Sequence, residues 1–520
     1  MEPSAELDGA ISLEEVAHAV RSLRTGKSAG PDDIPNELLR RGEKGAEEAL
    51  LQLFQTIWRT QVWPSQWELG NIKPLYKQSG DPQDLENYRG ITLLSCLAKT
   101  FETVLNQRLY NWSESHTTLH DAQGGFRPGR RSTDSIFALR EAVSERRERG
   151  LATFCCFVDV RKAYDRVWRD GLWLALWNIG VCSTMFRMIR SMFVHMRRQV
   201  AVEGQTSGQF PVELGVAQGA VLSPILYAIF INSLLQQLHG VESGIWIDGD
   251  LRLSCLAYAD DIVLLAESAE KLQAMLTVLD DHAHAWRFSY NASKSAVQVV
   301  GTPTQRAAGE QHVYTLGGER LTTTDSYLYL GVETRSLFRS AGGPAVDRVI
   351  RAARFKAHDL SGAAGCRYNG VNAIKSLELW NSYVRPRLEY ACEVWTPSKS
   401  QSKELERLLY EFCRQALGAD TRCGMDFVLS EMGCCSLEAR RDQLRLRYFH
   451  HLCNIDPDRI LARIFRSRCE QVKGLHRPAG SVTVTVSSAG ARDVAGAAAP
   501  GDDVLVGAFH PTGTGSSNAR

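Results

Sequence analysis

The stretch L-S-C-L-A-Y-A-D-D-I-V-L-L-A, residues 253–266, decides the fold. Two apolar runs flank a pair of acids, which is the pattern of a tight β-hairpin carrying Asp260 and Asp261 at its tip. A second run, F-C-C-F-V-D-V at 154–160, reads as an apolar strand interrupted by one acid, Asp159. An unpaired carboxylate is costly to bury in such surroundings. A divalent cation would offset that cost, because Mg²⁺ prefers carboxylate and phosphate oxygens and keeps positions open for substrate. Two such ions can activate a hydroxyl nucleophile and stabilise a leaving pyrophosphate together. Taken singly, each acid reads better as a helix cap or an ion-pair partner. Y-A-D-D alone turns up by chance in roughly one chain in a few hundred, so the weight falls on what accompanies it.

Bulk properties narrow the class. At 520 residues the chain has room for several subdomains. Its 44% hydrophobic and 23% charged content is ordinary for a soluble globular protein. A formal net charge of +1 excludes a uniformly basic nucleic-acid coat, so any grip on nucleic acid must come from local basic faces. The 13 cysteines are scattered and include no C-x-x-C, which reads as reduced thiols in a reducing compartment. A zinc site from Cys434, Cys435, His450, His451 and Cys453 is conceivable by residue type, but its spacing fits no familiar ligand pattern. The N-terminus M-E-P-S-A-E-L-D is acidic and is no secretory signal. The most apolar stretch, residues 222–235, is too short to span a membrane. The chain therefore reads as soluble and intracellular.

Local patterns set out the elements. Residues 12–24 read as an amphipathic helix with a Ser12/Glu15 capping box. G-K-S-A-G-P-D-D-I-P, residues 26–35, lacks the spacing of a phosphate-binding loop and reads as a structured turn. Helices are expected at 35–39, 46–59, 92–110, 133–148, 171–196, 224–239 and 269–287. Strands are expected at 71–77, 154–160, 296–300 and 328–332, with hairpins at 199–214 and 253–266. Beyond residue 340 the pattern is helical and basic, with 21 Lys and Arg against 16 Asp and Glu over 340–470. After Gly474 small residues dominate, and 475–520 is expected not to fold.

In order, the chain also carries N-Y-R-G-I-T-L-L-S (87–95), Q-G-G-F-R-P-G-R-R-S-T-D (123–134), F-V-D-V-R-K-A-Y-D (157–165), A-Q-G-A-V-L-S-P-I-L (217–226), Y-A-D-D (258–261), N-A-S-K-S (291–295) and Y-L-G-V (329–332). This series resembles the reverse transcriptase of non-LTR (LINE-type) retrotransposons over about residues 26–333. The resemblance implies an α+β right-hand polymerase. A ferredoxin-like palm would hold the acids, with fingers from 26–155 and part of 165–215. The implied organisation is an N-terminal helical extension (1–25), fingers and palm (26–333), a helical basic thumb or connection region (334–474) and the tail. The implied activity is RNA-directed DNA synthesis, using dNTPs, an RNA template, a DNA or RNA primer and two Mg²⁺ or Mn²⁺ ions.

Residue roles follow from the same resemblance. Asp159 and Asp260, with the less essential Asp261 and the backbone carbonyl of Val160, would hold metal. Lys294 would sit near the leaving pyrophosphate, as a charge or proton donor. Lys77 and Arg89 would hold the triphosphate, since guanidinium forks suit phosphate oxygens. Tyr164 would lie beneath the sugar and exclude a ribose 2′-hydroxyl; phenylalanine is commoner there, and both rings are bulky. Gln218 and Gly219 would lie under the incoming nucleotide and template base, glycine allowing close backbone approach. Gln123, Phe126 and Arg127 would contact template. Tyr329, Leu330 and Gly331 would grip the primer terminus. Asp165 is expected to be structural, paired with Lys162.

The chain also departs from the family. Complete elements of this type usually carry an endonuclease before the polymerase and many carry a zinc knuckle; the first 26 residues are expected to leave no room for the former, and no knuckle is visible in the sequence. A nuclear location is implied by resemblance only. Two rivals remain: a folded but catalytically silent nucleic-acid-binding remnant, and an RNA-dependent RNA polymerase, against which Tyr164 and Y-A-D-D rather than G-D-D speak.

Overall fold

The computed structural model describes residues 4–475 apart from 79, 248, 250, 336–342 and 364–370. Of the expected unfolded tail, residues 476–520 lie outside the described residues.

A five-stranded sheet forms the centre: β1 (Thr153–Asp159), β2 (Cys255–Tyr258), β3 (Asp261–Ala266), β4 (Ala296–Val300) and β5 (Thr322–Thr323). Its spatial order is β5-β4-β1-β3-β2. Helix α1 (Ser223–Gly240) lies between β1 and β2 in the chain, and α2 (Ala269–Trp286) between β3 and β4. The βαββαβ order makes this the expected ferredoxin-like palm. The long apolar runs follow from burial on both faces. Alternate residues point opposite ways: Cys156, Val158, Ile262 and Leu264 join one core with α1 and α2 residues such as Leu226, Leu272 and Met275. Cys155, Phe157, Val263 and Leu265 join another, shared with helix Ser132–Glu148 and with Trp380 and Phe412 of the C-terminal helices.

The fingers add a second sheet. Strand Leu69–Tyr76 pairs antiparallel with Tyr88–Leu93 and parallel with Arg197–Val202. The helix expected at 92–110 begins later, because Thr92 and Leu93 belong to that strand and Ser95 caps helix Cys96–Ser115 by accepting the Ala98 N–H. The helix expected at 171–196 is two, Arg169–Asn178 and Thr184–Ser191, with Gly180 between them at φ +100°. The N-terminal segment is helical and packs against the fingers. Its capping box forms as read, Ile11, Val16 and Val20 enter the first core beside Phe54 and Phe101, and Glu15 pairs with the buried Arg108.

Beyond β5, a hairpin (Ser326–Tyr329 with Val332–Arg335) leads into helices running to Leu475. No described helix is long and apolar enough to cross a membrane.

One buried histidine makes the fold sensitive to pH. His282 on α2 stacks on Trp286 with ring centroids 5.2 Å apart and bonds Ser233 of α1 through Nε2, 3.0 Å away. Burial lowers its pKa to about 4. The native ring therefore binds fewer protons than the unfolded one between pH 4 and 6.5, and stability falls as pH drops through that window. Full protonation costs on the order of 3 kcal/mol. His282→Phe should remove this part of the loss, and denaturant unfolding of both proteins at pH 7 and pH 4.5 measures it as a difference.

Candidate active site

The site is assembled by strand register. Asp159 ends β1 and Asp261 begins β3, and the two face each other across the antiparallel ladder. Asp260 sits in the two-residue turn that joins Tyr258 to Asp261. Thus Asp159 meets the adjacent pair Asp260 and Asp261, distant from it in sequence, at one end of the palm. Their pKa values are all raised. Burial leads in each case; the neighbouring charge of Asp159 adds to Asp260, and those of Asp260 and Asp159 bring Asp261 to about 6. Asp261 is the most exposed of the three to water, yet protein crowds it enough for burial to dominate. Lys294 and an Asn291 side-chain hydrogen bond oppose the rise at Asp159, and Arg89 opposes it at Asp260.

Among the described residues, no three acidic, histidine or cysteine side chains close into a ready-made metal cage. The donor set nevertheless suits Mg²⁺, which takes one or two carboxylates and completes its shell with water and substrate phosphate. Carboxylates that repel one another want such a charge. Val160 fits the same chemistry. Its bridge to Tyr290 is closed by the Arg161 N–H to Ser289 and by the Asn291 N–H to the Asp159 carbonyl, so the bridge uses neither of Val160's own polar groups.

Fingers residues overhang the acids. Leu75 opposes Arg89 in the hairpin, and the Lys77 N–H bonds the Asn87 carbonyl, so Lys77 and Arg89 share one face. Both are exposed, and their charges reach Asp159 and Asp260 respectively. Lys77 Nζ rests on the Glu86 carbonyl, 2.6 Å away. The Glu86 carboxylate takes Lys162 at 2.8 Å, so the expected Lys162–Asp165 pair does not form.

Tyr164 stacks on the buried Tyr227, centroids 5.5 Å apart, and meets Phe126 edge-on at 6.3 Å. Phe126 is exposed and holds φ +61°. Gly219 has φ +119°, and a Cβ there would lie 2.6 Å from the Thr92 carbonyl oxygen; the Thr92 N–H in turn bonds the Gln218 carbonyl at 2.7 Å. This loop has an anchor that the sequence did not reveal. The buried Glu102 carboxylate accepts the Val221 N–H at 2.7 Å. Leu330 and Gly331 form a hairpin turn with φ +45° and +79°, suited to a type I′ turn. Tyr390, also unforeseen, donates to the Leu330 carbonyl and bonds Ser132, which ties the C-terminal helices to this turn.

Three expected contacts are not available to nucleic acid. Arg127 is buried, its guanidinium paired with Glu114 and bonded to the carbonyls of Leu119, His120 and Gln123. Gln123 is fully buried and bonds backbone. The Tyr329 ring lies 5.5 Å from Phe157 in the core. Motif membership marked these positions but not their inward direction: Arg127 turns to Glu114 outside the motifs, while Gln123 and Tyr329 turn to Ala259 and Phe157 in motifs distant in sequence. The cysteine and histidine group does not converge either: Cys434 bonds Cys413, and His451 faces Asp134 at 3.5 Å. Asn291 and Ser295, which accepts the Asp159 N–H at 3.1 Å, were within a quoted motif in which only Lys294 stood out.

Residues 76–334, about half of the chain, match the family model described as reverse transcriptase (RNA-dependent DNA polymerase). The chain belongs to the reverse transcriptase family. Its relatives are polymerases of the non-LTR elements that the motifs resemble. The RNA-directed DNA polymerase from mobile element jockey of Drosophila funebris is 27% identical over 417 residues, covering 79% of this chain and 44% of that protein. Its Drosophila melanogaster counterpart is 24% identical over 463 residues, covering 88% and 49%. The probable RNA-directed DNA polymerase from transposon BS of Drosophila melanogaster is 30% identical over 292 residues, covering 55% and 32%. The chain thus spans about a third to a half of these relatives' length.

The raised pKa of Asp261 has a sign that can be checked. The native carboxyl holds its proton above the ordinary range, so stability falls as pH rises from about 4 to 6, and the deficit is complete above that. Asp261→Asn in metal-free protein should melt higher than wild type at pH 8 and equally at pH 4, with added Mg²⁺ narrowing the difference. Thermal melts with chelator and with Mg²⁺ at the two pH values measure it.

Proposed function

We propose that this chain is an RNA-directed DNA polymerase that adds dNTPs to a primer 3′-hydroxyl on an RNA template. The observation that carries the proposal is the union of Asp159, Asp260 and Asp261 at one end of the palm, beneath exposed Lys77 and Arg89. Asp159, Asp260 and the Val160 carbonyl would hold two Mg²⁺ or Mn²⁺ ions, with Asp261 the less essential neighbour. Ions held there would activate the 3′-hydroxyl and neutralise the departing pyrophosphate.

The chain's own groups do the rest. Lys77 and Arg89 hold the triphosphate from the fingers side. Lys294, exposed on the palm side and close enough for its charge to act on Asp159, faces the departing pyrophosphate. Tyr164, backed by Tyr227, fills the space a ribose 2′-hydroxyl would need, and Phe126 forms the adjoining wall toward the template. Gln218 and Gly219 present flat backbone beneath the base pair. The Leu330–Gly331 turn supports the primer end. The polymerase acts in the nucleus by the same likeness.

Primer extension on an RNA template with dNTPs and Mg²⁺ tests this reading. Wild type should extend, Asp260→Ala should lose activity by at least a hundredfold, and dNTPs should be preferred over rNTPs. Preference for rNTPs would make it an RNA polymerase, and template binding without extension by folded wild type would make it a silent remnant.

The helical region following the palm is proposed as the thumb. Arg131, Arg447, His450 and His451 line a cleft of about 600 Å³, next to the Ser132–Tyr390 contact that supports the primer turn. Phosphate contacts of this kind weaken with salt. Arg131→Ala with Arg447→Ala should weaken template–primer binding on every sequence and reduce its logarithmic salt slope by about 1 to 2, read by fluorescence anisotropy across a salt series.

A further inference from the structure

Gln123 lies on segment 122–125, which continues the palm sheet beyond β2. Gln123 bridges Ala257 in parallel, the Gly124 N–H bonds the Ala257 carbonyl at 2.8 Å, and the Ala257 N–H bonds the Ala122 carbonyl at 2.9 Å. The Gln123 side chain then turns inward to the residue that precedes Asp260. Its Oε1 accepts the N–H of Ala259 at 2.9 Å and of Gly125 at 2.8 Å, and its Nε2 donates to the Ala259 carbonyl at 3.3 Å. One primary amide thus satisfies both polar backbone groups of Ala259. Among the side chains of common size, only an uncharged amide offers an acceptor and a donor in that geometry.

Ala259 needs the support. It holds φ +60°, a conformation that L residues seldom adopt, at the first turn position where glycine is preferred. Asp260 follows directly, so rotation of the Ala259 peptide would swing the Asp260 carboxylate. The clamp is itself held. A Cβ on Gly125 would lie 2.1 Å from the Ala259 nitrogen, so the loop lies flat against the turn. Arg127, locked to Glu114 on helix Cys96–Ser115, bonds the Gln123 carbonyl at 3.3 Å, and Tyr110 of that helix donates to the Phe126 carbonyl.

We propose that Gln123 is a positioning residue for the polymerase site, fixing the Ala259 peptide and so the aim of the Asp260 carboxylate. The inference rests on the polymerase reading for its kinetic consequence, but not for its structural one.

Gln123→Met keeps volume and removes the hydrogen bonds. Primer extension should show kcat reduced tenfold or more, with dNTP KM and template–primer Kd within twofold of wild type. Mn²⁺ titration by electron paramagnetic resonance, with no nucleotide present, should show binding weakened at least threefold. Ala259→Gly, which removes the backbone penalty, should restore part of the lost kcat in the double variant. A Gln123→Met protein with wild-type kcat and Mn²⁺ affinity overturns the inference, as does a double variant no better than the single. Should Gln123→Met not fold, Gln123→Glu takes its place, assayed at a pH where the carboxyl is ionised: it keeps both accepted hydrogen bonds and sets an acceptor oxygen against the Ala259 carbonyl in place of the donor. Loss of kcat and of Mn²⁺ affinity is expected, and wild-type values there overturn the proposal. If wild type itself fails to extend a primer, the polymerase reading falls, while equal Mn²⁺ binding by wild type and variant still decides against the clamp.

Discussion

The whole structure depends on one antiparallel pairing, β1 against β3, that brings like charges together. Asp159 opposite Asp261 is an arrangement that electrostatics opposes, because neighbouring carboxylates repel and burial penalises each. The ladder behind them supplies what holds it. Phe154 to Val158 and Ile262 to Ala266 are all buried, and alternate residues go to two different cores. A slip of one residue would exchange every side chain between those cores, each packed for particular shapes. Register is thus fixed by apolar packing, and the acids are carried to their places regardless of their mutual repulsion.

Much of this was legible in the sequence because strand patterns with acids at their ends are local signals. The two acidic runs, α1, α2, the Ser12/Glu15 cap and the hairpin at 253–266 all formed where read. What was not legible were partners distant in sequence. The boundary at Thr92–Leu93 turned on pairing with Leu69–Tyr76, which no local propensity encodes. Arg127 and Lys294 are both cations inside quoted motifs. Only the position of Glu114, thirteen residues before Arg127, decides that one is spent internally while the other faces Asp159. Some cations of the basic region beyond residue 340 are likewise spent internally, Arg468 on Glu141 and Glu148 and Arg440 on Glu389.

Fingers and palm are joined less rigidly than the palm strands are to one another. Between Glu86 and Lys162 the link is an exposed ion pair, worth little in water. Deeper down, the link is made by buried hydrogen bonds: the Glu102 carboxylate accepts the Val221 N–H, and the Gln218 carbonyl accepts the Thr92 N–H. A buried carboxylate bound to backbone amides is hard to release, because leaving it unpaired costs far more than an exposed pair returns. The loop at Gln218–Gly219, proposed to lie under the nucleotide, is therefore anchored through buried groups, whereas Lys77 and Arg89 reach out from their strands into solvent.

That division suits the chemistry. Groups that must aim, namely Asp159, Asp260 and the backbone at Gly219, are held by sheet register and by buried polar contacts that water cannot replace. Lys77 and Arg89, proposed to meet a flexible, hydrated triphosphate, sit exposed on a strand pair and carry their charge on long side chains. Electrostatic stabilisation is effective when the fixed charges are already in place before the reaction. Holding acids close together raises their pKa and weakens the fold there, so the rigidity must come from elsewhere. The two hydrophobic cores on either side of one sheet supply it, and for this reason the acids stand at the end of buried strands rather than on a surface loop.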